Sequence, residues 1–180
     1  SGKPVPGYTL RLVDRTGAEV SSGDVGALEV KGMSAAVGYW NQPTKTQETF
    51  VGEWVRTGDQ YVEDDKGFYH YRGRRDDMLK VGGIWVSPME VESVLLRHPL
   101  VADVAVVGRR TQEGLEKPCA FVVVKDNVQV STKLKDDLKA LARSQLAIYK
   151  YPRWINFIDQ LPRTSTGKIQ RYRLHDMFLE

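Results

Sequence analysis

The chain has 180 residues and a net charge of +3, and 41% of its residues are hydrophobic. That hydrophobic fraction is typical of a globular protein and excludes a disordered chain. Acidic and basic residues are interspersed, the single cysteine fits a reducing cytosol, and no apolar run is long enough to span a membrane. We therefore expect a cytoplasmic protein with no nucleic-acid and no membrane partner. The three histidines lie far apart, so we expect no metal site.

The first 72 residues are predicted to be rich in β-strands. Strands are expected over residues 8–13 and 26–31, followed by a polar stretch without a helical period. Residues 60–63 and 68–72 should form a hairpin, because the residues between them, Asp64-Asp65-Lys66-Gly67, have the composition of a tight turn.

The pattern changes after residue 72, where helices and strands alternate. Ser87 and Pro88 suit an N-cap and a first helical position, so a helix is expected over residues 88–97. A second, amphipathic helix begins after Ser131 or Thr132. The remaining expected elements are strands over residues 101–107, 118–125 and 154–158 and a short helix near Leu174. This order predicts a compact α+β domain of about a hundred residues, a size that can fold alone.

Short motifs carry the chemical signal of the sequence. Residues 57–59 are Thr-Gly-Asp, and residues 73–77 are Gly-Arg-Arg-Asp-Asp. Residues 161–168, Leu-Pro-Arg-Thr-Ser-Thr-Gly-Lys, superficially resemble a phosphate-binding P-loop. We reject that interpretation because the first glycine is missing and Ile169 replaces the required Ser or Thr.

Together these motifs resemble the acyl-adenylating enzymes, a superfamily of acyl- and aryl-CoA ligases, peptide-synthetase adenylation domains and luciferases. The Gly-Arg-x-Asp-Asp motif is followed, as in that family, by Lys80, by Gly82-Gly83 and by a Pro-x-Glu helix start. The resemblance covers essentially the whole chain. Within the superfamily, residues 149–155 and 166–171 are most similar to benzoate-CoA ligases and their near relatives.

The resemblance implies that Lys168 drives the first half-reaction, in which a carboxylate attacks the α-phosphate of ATP. A mobile ammonium can bridge the two anions that must meet, and removing such a contact commonly costs on the order of 10²-fold in rate. Gly167 would allow the tight backbone that presents the lysine. The alternative is an ordinary solvated lysine on a surface loop.

The resemblance also implies a nucleotide site. Asp59 would accept hydrogen bonds from the ribose hydroxyls of ATP, and Arg74 would reach the ribose or phosphate region. The alternatives are an ordinary turn aspartate and an ion pair of Arg74 with Asp76 or Asp77.

Asp76 occupies the hinge position of the family, where the small domain rotates between two catalytic poses. In the second pose, the loop with Gly82 and Gly83 would line the tunnel for the CoA thiol, although these glycines also fit a plain tight turn. Tyr149, Lys150 and Arg153 resemble a segment near the nucleotide end of CoA. Tyr149 could stack on adenine while the cations pair with phosphates, and the alternative is a solvated cationic patch with core tyrosines.

The sequence thus predicts an α+β chain in two parts. Residues 1–75 would be the β-rich end of a large adenylate-forming domain, and residues 76–180 the mobile small domain. The expected ligands are ATP with Mg²⁺, coenzyme A and a small aromatic or aliphatic carboxylic acid, and the expected partner is the missing N-terminal domain. The alternatives are an adenylation domain that hands its acyl group to a carrier protein, and a non-catalytic interaction module.

Overall fold

The structure, a computed structural model, describes residues 2–177. The chain divides into two compact units, Ser1–Asp76 and Asp77–Glu180. No helix among the described residues combines the length and the apolar character that crossing a membrane requires. The mixture of strands and helices agrees with the predicted α+β class.

The first unit is built on one antiparallel sheet. Its strands run in the order β1-β2-β4-β3, and β5 also pairs with β4. The elements are β1 (Tyr8–Val13), β2 (Val25–Gly32), α1 (Pro43–Thr49), β3 (Phe50–Val51), β4 (Trp54–Glu63) and β5 (Tyr69–Arg74). The predicted strands and the β4–β5 hairpin are confirmed. Helix α1 was not predicted, because it has only seven residues and none of them is buried, so no apolar period marks it.

A buried carboxylate lies in the middle of this sheet. Glu29 on β2 is directly opposite Arg11 on one side and Arg56 on the other, and only 3% of its surface is exposed. Burial alone would raise its pKa, but hydrogen bonds from Arg11 at 2.7 and 2.9 Å and from Arg56 at 3.0 Å lower the pKa below its usual value. The ion pairs therefore keep Glu29 charged inside the sheet.

The second unit has a three-stranded sheet in the order β10-β9-β8, in which β8 and β9 are antiparallel and β9 and β10 are parallel. A separate two-stranded hairpin, β6–β7, precedes it. The elements are β6 (Leu79–Val81), β7 (Ile84–Val86), α2 (Pro88–Leu95), β8 (Val101–Arg110), β9 (Glu116–Val124), α3 (Thr132–Gln145), β10 (Trp154–Phe157) and α4 (Arg171–Asp176).

Local chemistry explains where the helices begin. The Ser87 hydroxyl accepts a hydrogen bond from the Glu90 N–H at 3.4 Å, and Pro88 is the first helical residue of α2. For α3, the cap is Ser131 rather than Thr132, since the Ser131 hydroxyl accepts from the Leu134 N–H at 3.2 Å. The predicted helix starts are therefore correct, while α2 ends at Leu95, two residues before the predicted position.

Both faces of the β8–β9–β10 sheet are covered. Val104 and Val106 of β8 pack with α2, α3 and the β6–β7 hairpin, whereas Ala105 and Val107 pack in a second cluster with Leu174 of α4. A strand buried on both faces carries a continuous apolar run, as β8 does. Cys119 belongs to the second cluster, and burial raises the pKa of its thiol to about 12. It is a buried small hydrophobe, as predicted.

Candidate functional site

The Thr57-Gly58-Asp59 motif lies within β4, where its side chains are held by hydrogen bonds. The Thr57 hydroxyl donates to the Leu28 carbonyl at 3.0 Å and accepts from the Asp59 N–H at 3.1 Å. Arg74 is opposite Asp59 in the β4–β5 register, and its Nη1 donates to Asp59 Oδ1 at 2.9 Å and to the Thr57 carbonyl at 3.1 Å. Two residues that the sequence assigned to the nucleotide are thus brought together.

The charges of this pair stabilise each other. The hydrogen bond to Asp59 raises the pKa of Arg74 above its usual value, and half of the Arg74 side chain is exposed. Arg74 donates to Oδ1 of the Asp59 carboxylate, and a carboxylate has a second oxygen that can accept from a further donor such as a hydroxyl.

Gly58 makes this arrangement possible. Its φ is +77°, a conformation that side chains disfavour, and a Cβ at this position would lie 2.9 Å from Arg74 Nη2. Gly58 is therefore needed for two reasons: the backbone has a positive φ, and the Arg74 guanidinium approaches too closely for a side chain.

Asp76 lies in a short 3-10 turn, Arg75–Asp77, and the division between the two units falls directly after it. Whether this residue acts as a hinge stays a prediction. The residue after it, Asp77, faces a cation of its own unit, since its Oδ2 lies 3.8 Å from Arg171 Nη1.

The predicted glycine loop is the turn of the β6–β7 hairpin, residues 79–86, which we call the glycine hairpin. Gly82 and Gly83 have φ values of +56° and +86°, the pair of positive angles that a two-residue hairpin turn requires. No atom lies within 4 Å of where a Cβ would stand on either residue. Turn geometry therefore accounts for both glycines, and the open space beside them is compatible with a pantetheine arm. The two strands were missed because each has only three residues.

Lys168 ends a loop whose backbone is tightly fixed; we call residues 161–168 the lysine loop. The Lys168 carbonyl accepts from the Thr164 N–H at 2.8 Å, and the Lys168 N–H donates to the Thr164 hydroxyl at 3.1 Å. Gly167 has a φ of +83° and no atom near its Cβ position. The loop therefore holds the backbone of Lys168 from both sides while its side chain is exposed to solvent.

Arg163 anchors the lysine loop to the sheet. Its Nη1 donates to the Gly167 carbonyl at 2.5 Å, and its Nη2 forms an ion pair with Asp103 of β8. Asp103 in turn accepts from the Val104 N–H at 2.9 Å. No local pattern singles out Arg163 within the motif, because its partner Asp103 lies 60 residues away.

The segment with Tyr149, Lys150 and Arg153 follows α3. Lys150 Nζ lies 2.7 and 2.8 Å from the two carboxylate oxygens of Glu90, and Tyr149 packs against the core. Arg153 is exposed, and its backbone N–H donates to the Pro118 carbonyl at 2.8 Å. Of the two cations that the sequence assigned to CoA phosphates, Lys150 is thus already paired with a carboxylate.

Glu92 and Arg171 form a second buried ion pair that sequence reasoning missed. Glu92 accepts from Arg171 Nη2 at 2.6 Å and from the Val106 N–H at 2.8 Å. Burial raises the pKa of Glu92 above its usual value, although the Arg171 charge opposes that rise. Arg171 lies three residues after the end of the lysine loop, and 79 residues separate it from Glu92, so no local pattern marks the pair.

Two findings concern what this chain can bind and which family of proteins it resembles. Residues 2–177 contain no group of three or more His, Cys, Asp or Glu side chains placed to hold a metal ion. Residues 90–168 match the family model described as the AMP-binding enzyme C-terminal domain.

The chain is similar to curated and solved ligases. It is 56% identical to the benzoate–CoA ligase of Thauera aromatica and 49% identical to the 4-hydroxybenzoate–CoA/benzoate–CoA ligase of Rhodopseudomonas palustris. These matches cover 97% and 99% of this chain but only 33% of each relative. The crystal structure of the anthranilate CoA ligase AuaEII in complex with anthranoyl-AMP matches with a TM-score of 0.93 and 48% identity, over 98% of this chain and 34% of that one. The chain therefore spans about a third of the length of the relatives it matches.

Proposed function

We propose that the whole protein is an ATP-dependent, AMP-forming aryl-CoA ligase. The premise is that this chain belongs to the acyl-adenylating superfamily and matches the C-terminal part of its members. Its substrate would be benzoate or a similar small aromatic acid. Residues 1–75 form the end of the large domain in this proposal, and residues 76–180 form the small domain that moves against it.

The observation that carries the proposal is the geometry of the lysine loop. A catalytic ammonium must reach a reacting phosphate from a backbone that does not shift, since misplacement by about 1 Å can cost on the order of 10²-fold in rate. Hydrogen bonds through Thr164 and the Arg163 anchor hold the backbone of Lys168, and the side chain extends into solvent. An ordinary surface lysine needs no such support.

In the first half-reaction, a carboxylate oxygen of the acid attacks the α-phosphorus of ATP. A bond forms between that oxygen and phosphorus, the bond to the β-phosphate oxygen breaks, and pyrophosphate leaves with the electron pair. Lys168 stabilises the negative charge that accumulates between the two anions. Asp59 accepts from the ribose hydroxyls, and Arg74 holds the Asp59 carboxylate in position at 2.9 Å.

In the second half-reaction, the CoA thiol releases its proton to water and its sulfur attacks the acyl carbonyl of the adenylate. The bond between the acyl carbon and the phosphate oxygen breaks, and AMP leaves with the electron pair as the thioester forms. The glycine hairpin replaces the lysine loop at the reacting centre, after the small domain has turned at Asp76. Mg²⁺ would accompany ATP and would be held mainly by the phosphates and by water. We place the reaction in the cytosol, where CoA and ATP are available. A single free, buried cysteine is consistent with that reducing compartment.

The contact between Lys150 and Glu90 supports a carrier protein as a second candidate acceptor for the acyl group. The sequence predicts Lys150 as a partner for CoA phosphates, whereas in the structure Glu90 already neutralises its ammonium at 2.7 Å. Arg153 remains exposed and available to a phosphate. If Lys150 does not exchange partners, a carrier protein that brings its own pantetheine becomes the alternative acceptor, and a comparison of CoA with pantetheine-loaded carrier protein would separate the two.

The test uses the full-length protein with Lys168→Ala and measures the two half-reactions separately. Pyrophosphate exchange with benzoate reports adenylation, and conversion of supplied benzoyl-adenylate with CoA reports thioester formation. We expect adenylation to fall by about 10²-fold or more while thioester formation survives. Unchanged adenylation would contradict the role of Lys168. A wild-type protein that binds no acyl-adenylate mimic would instead support a non-catalytic interaction module.

A further inference from the structure

The carboxylate of Glu116 accepts a hydrogen bond from the backbone of the glycine hairpin. Glu116 is the first residue of β9, and its Oε2 accepts this hydrogen bond from the Lys80 N–H at 2.7 Å. Lys80 lies in β6, whose two-stranded sheet contains only β6 and β7. An edge strand presents backbone N–H groups that need an acceptor, and a side chain of the neighbouring sheet supplies one here.

Gly108 leaves the space that this carboxylate occupies. Glu116 is opposite Arg110 in the β8–β9 register, which makes Gly108, two residues before Arg110, its diagonal neighbour. A Cβ on Gly108 would overlap Glu116 Oε1 and would lie 2.9 Å from Cδ. Gly108 is an ordinary strand residue and is not among those with positive φ. The backbone therefore permits an alanine, and the three atoms nearest to its Cβ would all belong to the Glu116 side chain.

We propose that Glu116, in the space left by Gly108, is a positioning residue that sets the glycine hairpin for thioester formation. This inference rests on the function proposed above, in which the hairpin lines the path of the CoA thiol. Leu79, Val81 and Val86 bury their side chains in the core and hold the inner side of the hairpin. Glu116 fixes its backbone at Lys80, two residues before the glycine turn.

The anchor is separate from the one that holds the lysine loop. Arg163 ties that loop to Asp103 of β8, and neither Arg163 nor Asp103 contacts Glu116 or Lys80 through a hydrogen bond described for residues 2–177. Each loop thus has its own charged support on the same sheet. Release of the glycine hairpin should slow the second half-reaction and leave the first unchanged.

The experiment uses four variants of the full-length protein: Gly108→Ala, Glu116→Ala, Glu116→Gln and the double variant Gly108→Ala/Glu116→Ala. We expect Gly108→Ala and Glu116→Ala each to slow conversion of acyl-adenylate to thioester by about tenfold, with pyrophosphate exchange within about twofold of wild type. Glu116→Gln retains an acceptor oxygen and should keep most of the rate. The double variant should be no slower than Glu116→Ala, because the alanine no longer meets a carboxylate.

A structural measurement separates this proposal from the proposed function. Hydrogen–deuterium exchange over residues 79–86 should be faster in Gly108→Ala and Glu116→Ala than in wild type, and unchanged in Glu116→Gln. Glu113→Ala is the control and should leave the exchange over residues 79–86 unchanged. It removes a carboxylate three residues before Glu116 whose hydrogen bonds are with Thr111 and with its own backbone.

Unchanged exchange in both alanine variants would overturn the anchor itself. Faster exchange with an unchanged thioester rate would overturn its role in the reaction, as would an equal loss of both half-reactions. Additive effects in the double variant would show that Gly108 and Glu116 act independently, which also overturns the proposal. A wild-type protein without ligase activity would refute the proposed function and would leave the exchange result to decide whether the anchor exists.

Discussion

Arg74 Nη1 lies 2.9 Å from Asp59 Oδ1 and 3.1 Å from the Thr57 carbonyl, so the guanidinium spans the Thr-Gly-Asp motif from the neighbouring strand. Arg74 therefore forms one unit in space with the three residues of the motif, although it lies 15 residues from Asp59 in sequence. If this site binds the nucleotide as proposed, the carboxylate is already fixed before the nucleotide arrives, which reduces the ordering that binding requires.

Gly58→Ala should damage this unit. The added Cβ at 2.9 Å from Arg74 Nη2 pushes the guanidinium away, and hydrogen bonds between charged groups contribute about 1.5–3 kcal/mol. We expect the affinity of the full-length protein for AMP, measured by calorimetry, to fall at least about tenfold. Gly52→Ala is the matched control, since Gly52 also has positive φ, at +62°, but has no atom within 4 Å of its Cβ position. An equal loss of affinity in both variants would mean that backbone strain, and not the displacement of Arg74, is the cause.

Arg163→Ala should impair adenylation alone. Without the hydrogen bond to the Gly167 carbonyl and the ion pair with Asp103, the lysine loop is no longer fixed to β8. We expect pyrophosphate exchange to slow by about tenfold and thioester formation to remain near wild type. Arg163→Lys should recover only part of the rate, because a single ammonium does not reproduce the two directions of the guanidinium. Arg173→Ala, an exposed change on α4, is the control, and a loss of thioester formation in Arg163→Ala would contradict this assignment.

Arg171→Ala should destabilise the second unit in a pH-dependent way. Burial raises the pKa of Glu92 above 4.5, so the folded state binds this proton more tightly than the unfolded state. The contribution of Glu92 to stability is then fully present below pH 4.5 and is lost as pH rises through its folded pKa. Removal of Arg171 takes away the cation that opposes this rise, so the folded pKa increases further. We expect a loss of about 3 kcal/mol at pH 7.5 and a smaller loss at pH 5.

The free energy of unfolding is measured by urea unfolding at both pH values, with hydrogen exchange of β8 as a second measurement. Arg173→Ala is the control on the same helix. Adding Glu92→Gln to Arg171→Ala should remove most of the pH dependence, because the amide does not titrate. A loss that is the same at both pH values would show that Arg171 acts through packing and not through its charge.

The parts of the fold that depend on neighbouring residues were predictable from the sequence. Ser87 with Pro88 marks the start of α2, and Ser131 precedes α3, because capping is decided within four residues. The α+β class was predicted from the order of helices and strands and the family from the order of the motifs, and the match of residues 90–168 to the AMP-binding enzyme C-terminal domain supports both. The three-residue strands of the glycine hairpin escaped prediction, because so short a segment has no measurable period.

The charged contacts of the candidate site were not predictable in the same way. The sequence assigned Arg74 to the nucleotide, with an ion pair to Asp76 or Asp77 as the alternative, whereas the strand register places Asp59 opposite it. Glu29, Glu92 and Glu116 all contact groups brought to them by the sheet or by a distant helix. Such pairs depend on strand register and helix packing, which hydrophobic periodicity does not specify.

The burial of Cys119 has a practical consequence for following the motion proposed at Asp76. Its thiol has a pKa of about 12 and is inaccessible, so it reacts slowly with maleimides at neutral pH. Cysteines introduced at exposed Lys66 and Lys133, one in each unit, would be the reactive thiols of residues 1–180. A pair of spin or fluorescent labels at these two positions would report the distance between the units during each half-reaction, with the native cysteine left in place.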